Sequence, residues 1–369
     1  MPLLMSFRRW WAAIFVGILL LPALGHFLPD VPAPMRTVLA PEARWWEDAA
    51  RRLDPYINNT FGFRGAVLGA NRSYVRFIGD SQSNRVVEGE HGTLFLNEDK
   101  ALEQSIGQLV RQDAVRKTAD FLEHLSHTVT AMGGSFAVVV APNGHTTNAK
   151  DLPAYARRLI RTPTEYDLMA EALRHRGVTF VDVRPIFAEA QKTGPVHLRY
   201  DTHWNHRGAL LAFNAVMAAV GRPDLEADPV DALEPAELIY SGDLQRISGR
   251  REPTVPDVQY PPKGPMVLPP ALEPLPGMIL PSPTTDIYLP PGFKNRAYRS
   301  GHAGPRILVL GDSFTFDPWL ALMLSRASDY VWAHHAACRF DTGVLERFRP
   351  DIVIYAPTER AMLCQGWKK

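Results

Sequence analysis

The sequence predicts an α/β protein with a parallel sheet covered by helices on both faces. Two observations lead there. Short apolar runs at 135–142, 178–183, 307–310, 330–333 and 351–356 have the length and character of buried strands. Segments of helical periodicity separate them, so each strand leads into a crossover, the connection that parallel neighbours require. Active sites of such sheets lie at the carboxyl ends of the strands, and two sequence features fall at such ends: 142–145, Pro-Asn-Gly-His, and 311–313, Gly-Asp-Ser.

Taken in order, the chain opens with an address. Arg8 and Arg9 precede an apolar run from Trp10 to Leu28, interrupted by Pro22 and His26. Residues 1–30 are therefore expected to be a signal peptide or membrane anchor. The run is long for a cleaved signal and just long enough to span a bilayer. Ala23-Leu24-Gly25 offers a small-residue cleavage site. The favoured expectation is a retained anchor over residues 10–28 in the inner membrane, with the two arginines inside and the rest in the periplasm.

Residues 31–100 read as a membrane-proximal lead segment: a helical stretch at 41–53, a turn carrying Phe61, Phe63 and Arg64, and two short strands within 86–96 around Gly89 and Gly92. Residues 101–369 read as the main domain, with helices expected at 101–131, 164–174, 207–220, 318–326 and 344–349. One segment breaks the pattern. Residues 252–291 hold thirteen prolines, too many for a helix or a central strand, and read as an extended excursion over the surface.

The chain of 369 residues has a net charge of +1 and no basic run with interleaved aromatics, which argues against a nucleic-acid partner. The two cysteines, Cys338 and Cys364, suit an exported protein. They either close a short loop or stand as two buried thiols. Without a Cys-x-x-Cys there is no thiol-based zinc or redox motif.

The chemistry rests on two stretches. In RILVLGDSF, Arg306 to Phe314, an apolar strand ends at Gly311-Asp312-Ser313 and a helix follows. A serine at that bend is placed as a nucleophile, with Asp312 as a turn or capping residue. In YDTHWN, Tyr200 to Asn205, Asp201 and His203 lie two apart and share one face of an extended segment, so the carboxylate can orient the imidazole. Ser313 is then the nucleophile, His203 its base and Asp201 the orienting acid.

The Ser313 backbone N–H is one expected oxyanion donor, and Asn143, in a strand-end loop, is the candidate for a second. Asn143 and Trp204 are the candidate substrate-binding residues; for Trp204 packing is weighed above stacking on a sugar ring. Asp201, His203 and His206 together suggest a metal, but no ligand cluster elsewhere supports one, and neither metal nor cofactor is expected. His145, His334 and His335 read as surface or satisfied histidines.

The combination of GDSF at 311–314, DTHWN at 201–205, SGDL at 241–244 and RPDIVIYAPTER at 349–360 resembles the periplasmic alginate O-acetyltransferases, members of the SGNH-hydrolase superfamily. FGFRG with VVEGEHGTLFL resembles the region those proteins carry between anchor and catalytic domain, so the likeness extends in patches from about Tyr56 to Leu363. It implies an SGNH-hydrolase-like (flavodoxin-like) fold and a triad of Ser313, His203 and Asp201, with Asp-x-His before the serine, the permuted order of the acetyltransferase branch. It also implies a membrane-bound multipass acyltransferase as acetyl donor and an exopolysaccharide acceptor. Two departures stand out. Residues 142–145 replace the expected Pro-x-Lys loop, and the proline-rich insertion is unusual. No separate carbohydrate-binding module is visible, so alginate itself is not implied.

The function expected is an envelope serine O-acetyltransferase acting on a secreted or cell-surface polysaccharide. The alternatives are a carbohydrate acetylesterase and a non-catalytic scaffold of an acetylation or secretion complex.

Overall fold

A computed structural model of the chain describes residues 10, 15–17, 20, 85–248, 255–263, 273–274 and 295–364. The chain divides into two units, Met1–Asn84 and Arg85–Lys369. In the first, residues 10, 15–17 and 20 are helical. The rest of the expected anchor at 10–28, the stretch at 41–53 and the FGFRG turn lie outside the described residues, as does most of 252–291. Among the described residues no helix is long and apolar enough to cross a membrane.

The second unit opens with a hairpin of β1, Val86–Glu88, and β2, Leu94–Leu96, paired antiparallel. Two helices follow, α1, Ala101–Ser105, and α2, Gln112–Ala131, and then β3, Ser135–Val139. Next come α3, Glu165–His175, β4, Phe180–Val181, α4, Arg184–Ala190, and α5, His206–Ala219. Thr164 starts α3 with a reciprocal capping box to Asp167, which satisfies two otherwise orphaned N–H groups.

A short hairpin pairs β5, Glu237–Ile239, with β6, Asp257–Gln259, around α6, Asp243–Ser248. The chain then runs through β7, Glu273–Pro274, β8, Arg296–Arg299, β9, Arg306–Gly311, α7, Ser313–Phe316, and α8, Leu320–Leu324. It ends with β10, Asp329–His334, α9, Gly343–Phe348, and β11, Ile352–Ala356.

Seven strands form the main sheet in the order β4-β3-β11-β9-β10-β8-β7. The first five are parallel, and β8 and β7 extend them as antiparallel strands. Side chains alternate between two cores. Ile307 and Val309 of β9 join Ile352 and Ile354 of β11 under α4, α5 and α8, whereas Leu308, Leu310, Val353 and Tyr355 face α2, α3 and α9. The expected three-layer arrangement is thus present. Each fully buried Leu, Ile or Phe in these layers contributes roughly 1.5–3 kcal/mol of burial free energy.

Cys338 and Cys364 form a disulfide with their Cα atoms 5.1 Å apart. It ties the loop after β10 to the segment following β11.

Candidate active site

The carboxyl ends of β9, β10, β11 and β3 converge on one edge of the sheet. At the end of β9, Gly311 has no positive φ; what it supplies is space. A Cβ there would strike the Thr315 hydroxyl and come within 3.2 Å of the Trp332 indole nitrogen. Glycine at 311 is therefore required by the close packing of α7 on β10 and not by backbone conformation.

Asp312 caps α7, accepting the Phe314 N–H at 3.1 Å, and its other oxygen accepts the Thr358 N–H at 2.7 Å. Burial works to raise its carboxyl, but His335, whose Nε2 lies 3.6 Å away, together with Arg360 and the Thr358 N–H, holds it well below the usual carboxylate range. Asp312 therefore pins the ends of β9 and β11 together, a wider role than capping alone. Ser313 follows at the first helical position, where no carbonyl within the helix reaches its N–H.

The second half of the site comes from the segment before α5. Asn205 caps that helix, accepting the Gly208 N–H at 3.0 Å. Just upstream, the Asp201 carboxylate accepts both from His203 Nδ1 at 2.6 Å and from the His203 N–H at 3.1 Å. His203 Nε2 lies 2.8 Å from Ser313 Oγ, which it meets across 110 positions of sequence. The structure thus brings Ser313, His203 and Asp201 into one hydrogen-bonded line. Burial disfavours the imidazolium, yet Asp201 and then Asp243 outweigh it and hold His203 above its ordinary value, with Arg360 opposing them. Asp201 is driven down to about 2: burial resists, but the His203 ring and the N–H groups of Asp243 and His203 prevail.

Asn143 is buried at the end of the β3 loop. Its amide donates to Ser105 Oγ at 2.9 Å, and its oxygen faces an Arg360 nitrogen at 3.4 Å. It lines a narrow cleft with His145, His197, Asp201, Thr202 and Arg360. One of its two amide N–H groups is thus engaged by Ser105. Trp204 is only 2 % exposed; it packs on Phe314 and donates its indole N–H to the Phe314 carbonyl at 2.9 Å. That covers the ring and leaves no face for a sugar.

The reading of His145 as a surface or satisfied side chain is corrected. It is 3 % exposed, neither ring nitrogen makes a well-formed hydrogen bond among the described residues, and burial, with Arg360 and His197, pushes it down to about 3 against an opposing backbone contact at Leu96. The hairpin covers it, with Phe95 5.2 Å from its ring. His335 is also buried and accepts the Ala337 N–H, and partly exposed His334 stacks on it. Among the described residues, the acids and histidine whose ligand atoms lie close enough to share a cation are Asp201, His203 and Asp243, not His206. Those atoms already bond to one another, to the Asp243 backbone N–H and to the Thr202 hydroxyl.

Three participants carried no role in the sequence reading: Asp243, Thr358 and Arg360. All lie in SGDL or RPDIVIYAPTER, so the motifs marked the segments without marking the contacts.

A mostly parallel sheet between helical layers, with a serine at the carboxyl end of a strand, places the chain in the SGNH-hydrolase-like class of α/β folds. By sequence, residues 86–263, a little under half of the chain, match the family described as the SGNH hydrolase-like domain of the acetyltransferase AlgX. That match contains Asp201, His203 and Asp243 but ends before Ser313.

Among solved structures, PatB1 of Bacillus cereus is similar in fold at 11 % identity, covering 75 % of this chain and 97 % of that one with a TM-score of 0.53. The O-acetyltransferase domain of Pseudomonas putida AlgJ aligns at 19 % identity over 75 % of this chain and 91 % of its own, TM-score 0.45. Pseudomonas aeruginosa AlgX aligns at 14 % identity over 74 % and 62 %, TM-score 0.45. No curated protein matches the chain by sequence.

Proposed function

We propose that the chain is an SGNH-type serine O-acetyltransferase that carries an acetyl group on Ser313 and passes it to a hydroxyl of a secreted or cell-surface polysaccharide. The observation that carries this reading is the unbroken line from Ser313 Oγ through His203 to Asp201.

Serine is a weak nucleophile at its own pKa, so a base must take its proton as the bond to the acyl carbon forms. His203 Nε2 is in reach to do so, and the low-lying Asp201 carboxylate favours the imidazolium that results. The tetrahedral intermediate collapses as His203 returns the proton to the leaving oxygen, which leaves an acetyl-serine. In the second half the sugar hydroxyl loses its proton to His203, attacks the acetyl carbon and regenerates Ser313. His203 returns each proton within the half that took it, to the leaving oxygen in the first and to Ser313 Oγ in the second.

The match of residues 86–263 to the acetyltransferase AlgX domain supports acetyl transfer, and the resemblance to the periplasmic alginate O-acetyltransferases suggests polysaccharide as the acceptor class and the periplasm as the compartment. A multipass membrane acyltransferase would supply the acetyl group, and residues 10–28 would hold the enzyme at the inner membrane beside it.

The test is mass spectrometry of an acceptor oligosaccharide panel after incubation with an activated acetyl ester. Gain of one acetyl mass with the wild type and none with Ser313→Ala is expected. Serine-dependent release of acetate without acetylated sugar would replace transfer by hydrolysis, and no difference between the two proteins would remove the enzymatic reading.

A further inference from the structure

His203 faces two carboxylates, not one. Asp243 begins α6, and its Oδ2 lies 3.6 Å from His203 Nδ1, against 2.6 Å for Asp201 Oδ1. The two acids are joined through the backbone: the Asp243 N–H donates to Asp201 Oδ2 at 2.8 Å. In return the Asp243 carboxylate takes the Thr202 N–H at 2.7 Å and the Thr202 hydroxyl. That hydroxyl sits 3.2 Å from His203 Nδ1.

The loop that bears the acid and the base is therefore clamped at each of its three residues, by Asp243 at Asp201 and Thr202 and by Asp201 at His203. Gly242 makes the approach possible, because a Cβ there would collide with the Tyr200 carbonyl and lie 2.9 Å from the Asp201 nitrogen.

We propose that Asp243 is a positioning residue of the acyl-transfer site, an auxiliary carboxylate that fixes the Asp201–Thr202–His203 loop and shares with Asp201 the negative charge facing the imidazolium. This rests on the acetyltransferase reading. Two carboxylates around one imidazole hold it more strongly than one, and a hydrogen bond to the first leaves the second close enough to replace it. The charged and titratable groups facing His203 are Asp201 on its own segment, Asp243 from α6, Arg360 from beyond β11, and His197. Only the two acids favour the charged ring. Burial and the charge of Asp201 raise the Asp243 carboxyl, as expected for the outer member of such a pair.

The experiment compares Asp243→Asn, Asp201→Asn, the double variant and Asp243→Glu with the wild type, using Ser313→Ala as blank. Asn at 243 can still accept from Thr202 but carries no charge. Removal of a charge that favours the imidazolium lowers the His203 pKa, so the acid limb of kcat/KM moves to lower pH in Asp243→Asn and returns in Asp243→Glu.

A triad that loses its only orienting carboxylate falls by about 10⁴-fold in kcat. With Asp243 in place, Asp201→Asn is expected to fall by only about 10²-fold, and the double variant by the full ~10⁴-fold. His203 is titrated in parallel by NMR in wild type and Asp243→Asn, a readout that needs no turnover. A His203 titration unmoved by Asp243→Asn, or an Asp201→Asn as inactive as the double variant, would overturn the proposal. Absence of any Ser313-dependent transfer in the wild type would instead overturn the acetyltransferase reading, and the NMR titration would still decide the role of Asp243.

Discussion

Replacing Gly311 by alanine tests how tightly the nucleophile's strand is packed. The added methyl would collide with Thr315 Oγ1 and press on Thr315 Cβ at 3.3 Å and Trp332 Nε1 at 3.2 Å. Thr315 and Trp332 are both fully buried, and the Thr315 hydroxyl accepts the Trp332 indole N–H at 3.1 Å. Overpacking of this kind costs about 1–3 kcal/mol. Displacing the hydroxyl strands a buried donor for about 1–3 kcal/mol more. The backbone gain from glycine to alanine, ~0.5–1 kcal/mol, is too small to reverse the sign.

Thr315→Ala alone strands the same indole, again for about 1–3 kcal/mol. In Gly311→Ala/Thr315→Ala the obstructing oxygen is gone and the indole is lost once rather than twice. The double variant should therefore be more stable than the sum of the singles predicts by ~1–3 kcal/mol. Urea denaturation of the four proteins measures this. Costs that add to within ~0.5 kcal/mol would show that the two sites do not meet, and the account of Gly311 would be wrong.

Two other predictions concern stability. Cys338 and Cys364 are 26 residues apart, a loop whose closure stabilises by roughly 3.5 kcal/mol in the chain-entropy view, so Cys338→Ser/Cys364→Ser should lower the urea-derived free energy by about that much. A loss below ~1 kcal/mol would contradict it. His145, pushed down to about 3, stays neutral in the folded state while the unfolded chain takes up a proton below its ordinary value near 6.5. Its full contribution is present above about pH 6.5 and is lost as pH falls toward 3, at up to ~1.4 kcal/mol per pH unit. His145→Phe should therefore lose less stability than the wild type between pH 6.5 and 4.5; parallel curves would refute a buried neutral imidazole.

The strands that carry the site were legible because they are continuous apolar runs: β9, β10 and β11 each lie within a residue or two of their expected bounds. Strand β8 was not, since Arg-Ala-Tyr-Arg near the sheet's margin has too little apolar character to register as a strand. Spatial order was also hidden, because crossover connections do not record which neighbour they reach. At the site, Asp201 and His203 were readable from their spacing, and Ser313 from the bend that precedes it. Asp243 was not, as its tie to Asp201 runs through a backbone N–H that any residue possesses. His145 was misjudged because its cover comes from a hairpin some fifty residues earlier in the chain.

The margins of the main sheet bear on how this molecule behaves beside its own copies. Among the described residues one margin is β4 and the other β7, each two residues long, and β7 includes Pro274, which has no N–H to offer. Among the described residues of these two strands, a visiting strand would find only one or two backbone groups to bind. The long apolar strands that build the nucleophile's platform are thereby kept from acting as templates for one another. A sheet rich enough in Ile, Val and Leu to fix a serine in place can in this way remain resistant to aggregation at high local concentration.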